Sequence, residues 1–460
     1  MTRLSRRQLL ALSAGALATF GPRRARATAA DVTYLAPGDD DYEARRQPFA
    51  KRVQRRPAVI AVCRTETGVQ QAVHQAARRG LPVALRSGGH SFEGFCVNDG
   101  GLVLDLANLA GLSLDQAHAL TAGPGARLGR LYDWLAARRR WLPAGSCAGV
   151  GLGGLTLGGG YGFWSRELGL TCDSLTRVRL VDGAGNLRDS KDEPDLLWGC
   201  RGGGTAGFGA VTHLELDTHP LPPRFATWRF RYKNLAPEES VALAARWFAL
   251  MADLPRTGFS AFVLHPRQLV VLVTDSAAQA PAPILDALRE RAAGPPETRT
   301  EPTPRAVQRF ASGTAPEYFK NVSAGYYSSF DDLEKLLPQV IEGMRHGPGM
   351  LLQINTLGGA IADPARAAAA AYPHRHFPFL GELQSYYETP AREAAALAAV
   401  RALQTLFTAH GIVSHYSNYP DADLPRWDRA YYGDSLARLQ ELKHRLDPRN
   451  VFQHPQSLRP

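Results

Sequence analysis

Apolar and polar positions alternate in two distinct rhythms along the first half of the chain. Val59–Cys63 is an unbroken apolar run, the signature of a strand buried on both faces. Val69, Ala72, Val73, Ala76 and Ala77 follow at i, i+3, i+4 spacing and predict a helix capped by Thr65 or Thr67. Residues 82–85 and 102–106 again read as strands, and 128–138 as a helix. Residues 175–182 predict a strand that enters a hairpin at Gly183-Ala184-Gly185-Asn186. Beyond residue 220 the rhythm changes. Strand-like runs (228–232, 269–274, 379–387) are mixed with alanine-rich helical stretches such as 391–409. The proline-rich stretch 281–307 reads as a loop or linker, and a helix over 435–446 is stopped by Asp447-Pro448. No internal repeat is visible.

The chain has 460 residues, 45% of them hydrophobic and 21% charged, which excludes disordered, collagenous and coiled-coil classes. Its length allows two or three domains. Five cysteines are too few, and the wrong parity, for a disulfide scaffold. The formal charge of +10 suggests a polyanion partner until its origin is located. Residues 1–27 hold six arginines (3, 6, 7, 23, 24, 26) and no acid, and removing those six charges from +10 leaves +4. That remainder does not argue for nucleic acid. The same segment has Arg6-Arg7 ahead of a short apolar run ending near Phe20, then Ala25-Arg26-Ala27. It reads as an export leader of twin-arginine type, a route taken by chains already folded around a cofactor, with delivery to the periplasm or the extracellular space. No apolar run reaches the ~18–20 residues of a membrane span.

Glycine carries the chemistry. Of 44 glycines, ten fall within 145–169, and Gly88-Gly89 and Gly202-Gly203-Gly204 with Gly207 and Gly209 form two further clusters. Glycine weakens regular structure, so this density implies loops in which backbone approaches a ligand closely, with free N–H groups available to a pyrophosphate. Gly151-Leu152-Gly153-Gly154 lacks the strand–GxGxxG–helix setting and the later acid of a nicotinamide-binding fold.

Arg86-Ser87-Gly88-Gly89-His90-Ser91, with Asp99 through Leu106 after it, resembles the flavin loop of the berberine bridge enzyme-like oxidases. So do Gly145-Ser146-Cys147 through Gly162, residues 195–198 with 202–209, Tyr372-Pro373-His374-Arg375, and the tail segments 429–433 and 447–452. The resemblance covers nearly the whole chain beyond the leader, in the family's order. It implies an α+β architecture: a two-lobed, PCMH-type FAD-binding domain of the kind shared with vanillyl-alcohol oxidase, over 54–220, and an α+β substrate domain with an antiparallel sheet over 221–410. A C-terminal segment, 411–460, would return to complete the flavin site.

The resemblance also implies FAD held by two covalent bonds, from His90 to the 8α-methyl and from Cys147 to C6. The chemistry agrees, since imidazole and thiolate are side chains able to attack an electrophilic ring edge near neutral pH. Cys96 is the rival thiol, and Cys63, Cys96, Cys172 and Cys200 read as core or disulfide residues. Carried over by motif, the cofactor-binding positions are Arg86, Ser87, Gly88, Gly89, His90 and Ser91, then Cys147, Val150, Gly151, Gly153 and Gly154. Gly158, Gly159, Gly162, Gly207, Val211 and Asn418 complete them. Two positions depart from the family pattern: Leu155 stands where most relatives have histidine, and Gly207 where asparagine is usual.

Hydride removal from a CH–OH donor needs a base for the alcohol proton. The candidates are Tyr416 and Tyr419 of the tail motif Tyr416-Ser417-Asn418-Tyr419, and Glu382 and Gln384, which share one face of the predicted strand. A tyrosine, with an ordinary pKa near 10, needs a neighbouring acid or a charged flavin to act at neutral pH, and Glu382 is either that neighbour or the base itself. The expected partners are a small-molecule donor, a sugar hemiacetal or a secondary-metabolite alcohol, and O2, with no metal. Two other expectations stay open: a dehydrogenase with a non-oxygen acceptor, and a flavin-loaded binding protein with little turnover.

Overall fold

The computed structural model describes residues 30–460; the predicted leader lies outside them. The apolar run Val59–Cys63 is a central strand in a four-stranded sheet. It pairs parallel with Leu102–Asp105, which pairs parallel with Val83–Arg86, and antiparallel with Val32–Leu35 at the edge. Glu66–Arg79 is the covering helix. The Thr65 hydroxyl accepts the Gly68 N–H at 3.1 Å, and Gly80 ends the helix with φ 63°. Its buried stripe is Val69, Ala72, Val73 and Ala76. A second, antiparallel sheet places Ala210–Leu216 between Leu120–Ala122 and Leu175–Val181, and Leu187–Asp189 closes the hairpin.

The third sheet has seven antiparallel strands in the order Glu297–Pro302, Arg224–Lys233, Gln268–Asp275, Gly258–His265, Met350–Thr356, Phe379–Tyr386 and Phe319–Tyr327. One face packs on helices Pro237–Met251, Leu337–Met344 and Glu393–Ala409 through Leu243, Ile341, Val400, Leu352, Leu383 and Val322. The other face of three neighbouring strands carries Asn321 and Ser323, Gln353 and Asn355, and Glu382 and Gln384. Cross-strand register sets Glu382 beside Ser323 and Gln353. Most of this polar face is buried: Asn321 is 3% exposed, Glu382 5% and Gln384 7%. Burying so much polarity is unfavourable unless the groups are partnered or used.

Residues 281–307 are not a linker. They form helix Ala282–Arg289, edge strand Glu297–Pro302 and helix Thr303–Phe310. Pro283 and Pro304 stand in the first turns of the helices and Pro302 at the end of an edge strand, where a missing N–H costs nothing, and Pro295-Pro296 lie in the short connection before that strand. The cysteines form no disulfide among the described residues; Cys63, Cys96, Cys172 and Cys200 are buried core side chains.

Three buried ion groups pin the parts together. Lys320 of the third sheet binds Glu93, which follows the first glycine loop, and Asp421 of the tail at 2.8 Å. Arg375 binds Asp173 at 2.5 Å. Lys443 and Asp447, both fully buried, pair at 2.7 Å; Lys443 also donates to the carbonyls of Gly207 and Phe452, and Asp447 accepts from Val451 and Phe452 N–H. This last cluster turns the C-terminus back so that Phe452 bridges Val83 in parallel, extending the first sheet. Among the described residues, no helix is long and apolar enough to cross a membrane.

Candidate active site

Two glycine loops meet backbone to backbone. The loop leaving strand Val83–Arg86 is held by the Ser87 hydroxyl, which donates to the Pro124 carbonyl at 2.5 Å. A Cβ on Gly88 would lie 2.3 Å from the Gly151 nitrogen, and one on Gly151 would lie 2.3 Å from the Ser87 Oγ. Only two glycines permit that approach. The cleft beside them is lined by Ser87, Gly88, Gly89, His90 and Ser91, and also by Val150, Gly151, Gly153 and Gly154. Gly207, Val211, Asn418 and Tyr419 contribute as well, and a Cβ on Gly154 would point into open space. Among the described residues, no Asp, Glu, Lys or Arg lines this cleft. Apolar walls, glycine backbone and absent carboxylates suit a ligand that joins aromatic rings through a pyrophosphate.

His90 and Cys147 come from the two loops and converge. Phe49 stacks on the His90 ring at 4.2 Å and 15°. Burial lowers the His90 pKa to about 4, against the opposing hydrogen bond to the Gly313 backbone, so the imidazole is neutral at physiological pH. Burial raises the Cys147 thiol, and the hydroxyls of Ser312 and Ser146 oppose that rise. The Ser312 Oγ stands 3.6 Å from Cys147 Sγ, and a Cβ added to Gly313 would be 3.3 Å from His90 Cε1 and 3.4 Å from Cys147 Cβ. Sequence reasoning missed Ser312 and Gly313, because nothing in Ala311-Ser312-Gly313-Thr314 distinguishes it from an ordinary turn.

A tyrosine cluster lies where the polar sheet face meets the second glycine loop. Tyr419 and Tyr161 hydroxyls are 2.7 Å apart, and Asn355 donates to the Tyr161 hydroxyl at 3.0 Å. Tyr419 lines the cleft and stacks on Phe92 at 5.5 Å and 13°. Tyr416 is turned differently. Its hydroxyl accepts the Gly160 N–H at 2.9 Å and the Asn418 side-chain N–H at 3.0 Å, which fastens the tail to the loop. Burial pushes all three tyrosines above their ordinary pKa, and the Glu382 carboxylate adds to the rise. Glu382 itself is pushed up to about 7 by burial, despite stabilising hydrogen bonds from Asn321 and Gln384. Its bonds go to those two amides, not to a tyrosine, so Glu382 is not the hydrogen-bonded partner of a tyrosine. Tyr161, Asn321 and Asn355 were not singled out from the sequence. Tyr161 was legible as the one aromatic within Gly158–Gly162.

The remaining motif positions are supports. The Arg86 guanidinium folds beneath Gly89 and donates to the Gln47 carbonyl at 3.1 Å. Gly158 and Gly162 abut Asn418 and the Ala144 carbonyl, and Gly159 abuts Tyr372 and Tyr416. Leu155 lines the cleft as an apolar group.

Comparison with known proteins agrees with this geometry. Residues 57–191 match the model of an FAD binding domain, and 415–459 match the berberine and berberine-like model. A carbohydrate oxidase of Microdochium nivale is 30% identical, with 98% of each chain covered. A chitooligosaccharide oxidase structure superposes with a TM-score of 0.85 at 26% identity, covering 93% of this chain and 97% of that one. A xylooligosaccharide oxidase of Myceliophthora thermophila C1, solved with xylobiose, superposes at 0.84 and 26% identity, covering 93% and 97%.

Proposed function

The chain belongs to the berberine bridge enzyme-like family of FAD-linked oxidoreductases, and from that premise we propose that it oxidises the CH–OH group of a small donor, a sugar hemiacetal or a secondary-metabolite alcohol, passing electrons to O2 to give H2O2. The carbohydrate, chitooligosaccharide and xylooligosaccharide oxidases among its relatives favour the sugar.

FAD fits the residues present. The glycine-lined cleft, free of carboxylates among the described residues, would take the pyrophosphate on backbone N–H groups, and His90 and Cys147, both beside Gly313, would be the attachment residues. When bound, FAD supplies the acceptor for the hydride. This chain's own groups handle the proton. The observation that carries the reading is Glu382, a carboxylate buried on a polar sheet face with its pKa raised to about 7 by that burial. A base of that pKa is half ionised at neutral pH and matched to an alcohol proton. Tyr419, held by Tyr161, which Asn355 in turn fixes, orients the donor hydroxyl toward it. Val150, compact and on the cleft wall, leaves room for O2. Export by the twin-arginine route in flavin-loaded form completes the reading, and replacing Arg6 and Arg7 by lysine would hold the protein in the cytoplasm.

The test is a peroxide-release screen of sugars, aromatic alcohols and polyketide-like alcohols, paired with anaerobic bleaching of the flavin absorbance. A sugar that does both is the expected result. Bleaching without peroxide would establish a dehydrogenase instead, and neither signal would leave a flavin-loaded binding protein.

A further inference from the structure

We propose that the loop 311–313, which belongs to the substrate-side lobe, positions both flavin attachment residues, and that Ser312 acts through Cys147 to make the cysteinyl bond form. The inference rests on the reading that FAD is attached through His90 and Cys147.

The loop hangs between helix Thr303–Phe310 and strand Phe319–Tyr327, whereas His90 and Cys147 belong to the glycine loops of the other lobes. Its far end is tied down: Glu317 N–H donates to the Phe49 carbonyl at 3.0 Å and Lys51 N–H to the Glu317 carbonyl at 2.8 Å. Phe49 is the residue whose ring stacks on His90. The imidazole is therefore held between the Phe49 face and Gly313. The fit at Gly313 leaves no slack. Its φ is +68°, so a side chain would be strained there, and a Cβ on neighbouring Gly149 would lie 2.1 Å from the Gly313 carbonyl oxygen and 2.7 Å from His90 Nε2. A ring N–H donated to the Gly313 backbone commits one nitrogen of His90 as donor and leaves the lone pair on the other.

Ser312 serves the sulfur. Its hydroxyl is 3.6 Å from Cys147 Sγ, a hydrogen-bonding distance for an atom as large as sulfur. A hydroxyl donating to sulfur favours thiolate, which is the nucleophile. In the attachment step the Cys147 Sγ–C6 bond forms and the thiol S–H and ring C6–H bonds break. Two electrons and two protons leave to O2, which becomes H2O2. Cys147 is half-buried and its thiol held up, so without the hydroxyl the thiolate is scarcer and less well aimed. Ser312 itself is exposed, so replacing it need not disturb packing.

The experiment uses the purified full-length holoprotein. Peptides containing residues 90 and 147 are examined for attached flavin by mass spectrometry, with the visible spectrum as a second readout of sulfur on the ring. Ser312→Thr and Ser312→Val are near-isosteric and differ in the hydroxyl. Ser312→Val, like Ser312→Ala, is expected to keep the His90 bond in full and to show at least a tenfold lower fraction of Cys147 bond, while Ser312→Thr restores it. A Val variant linked at Cys147 as fully as wild type, or one that loses both bonds in parallel, would overturn the role of Ser312. A wild-type protein with flavin on His90 alone would instead bring down the two-bond reading on which it rests.

Discussion

The hydroxyl of Tyr419, brought by the C-terminal tail, stands 2.7 Å from that of Tyr161, brought by the glycine-rich loop. Asn355 donates to the Tyr161 oxygen from a third direction, the polar face of the large sheet. Tyr161 can then give its own proton to Tyr419 and leave the Tyr419 O–H for a donor in the cleft. Tyr161→Phe is expected to slow anaerobic flavin reduction about tenfold, the scale of one lost hydrogen bond in a closed site, and Tyr419→Phe more. Equal rates in both variants and wild type would remove the pair from the chemistry.

Glu382 predicts a pH signature in both rate and stability. Flavin reduction should rise with pH through about 7 as the carboxylate ionises. Glu382→Gln should lose that limb and slow reduction by roughly 10²–10⁴-fold. The folded-state pKa is raised above the unfolded one, so the folded protein binds the extra proton and loses stability as pH climbs from about 4.5 to 7. The glutamine variant escapes that loss. Above pH 7 it should be more stable than wild type by about 3 kcal/mol at most, converging below pH 4.5, which unfolding midpoints across that range will check.

Covalent attachment predicts that acid-precipitated wild-type protein stays yellow. His90→Ala and Cys147→Ala should each keep flavin through the other residue, and the double variant should release it. Complete release from wild type by acid would end the claim.

Oxygen reactivity is expected to depend on Val150. Leucine there is longer by one methylene, enough to obstruct a diatomic molecule at the cleft wall. Stopped-flow mixing of reduced Val150→Leu with aerated buffer should show slowed reoxidation, with reduction by substrate less affected. Reoxidation of the wild type over minutes would mark a dehydrogenase.

Lys443→Met should destabilise the fold by about 3–5 kcal/mol, because it leaves the fully buried Asp447 without its counter-charge. A lowered thermal midpoint checks this, and the companion double change with Asp447→Asn should recover part of the loss.

Much of the first lobe could be read directly from the chain. The buried run Val59–Cys63, the Thr65-capped helix and the glycine loops obey local rules of periodicity, capping and backbone freedom, and the flavin motifs are contiguous. The polar sheet face was only half legible. Glu382 and Gln384 share a strand and betray themselves by alternation, but Asn321 and Asn355 join them through cross-strand register, which no local pattern encodes. Ser312 and Gly313 are further still from legibility, since their meaning comes wholly from a contact made between lobes. The stretch 281–307 misled for the opposite reason, as its prolines are helix starters as readily as loop formers.

The parallel bridge between Phe452 and Val83, with Gln453 N–H bonded to the Val83 carbonyl, has a consequence for how the molecule is born. Strand Val83–Arg86 leads directly into the His90 loop, yet its outer neighbour is synthesised some 370 residues later. A nascent chain therefore carries an unpaired strand edge beside its glycine loops until Phe452 has been made. The first lobe cannot finish folding before the tail segment is made, and the pairing that completes it is among the least local in the protein. A chain truncated even a few residues before Phe452 would expose that edge permanently, and aggregation rather than mere loss of activity is the expected fate of such a fragment.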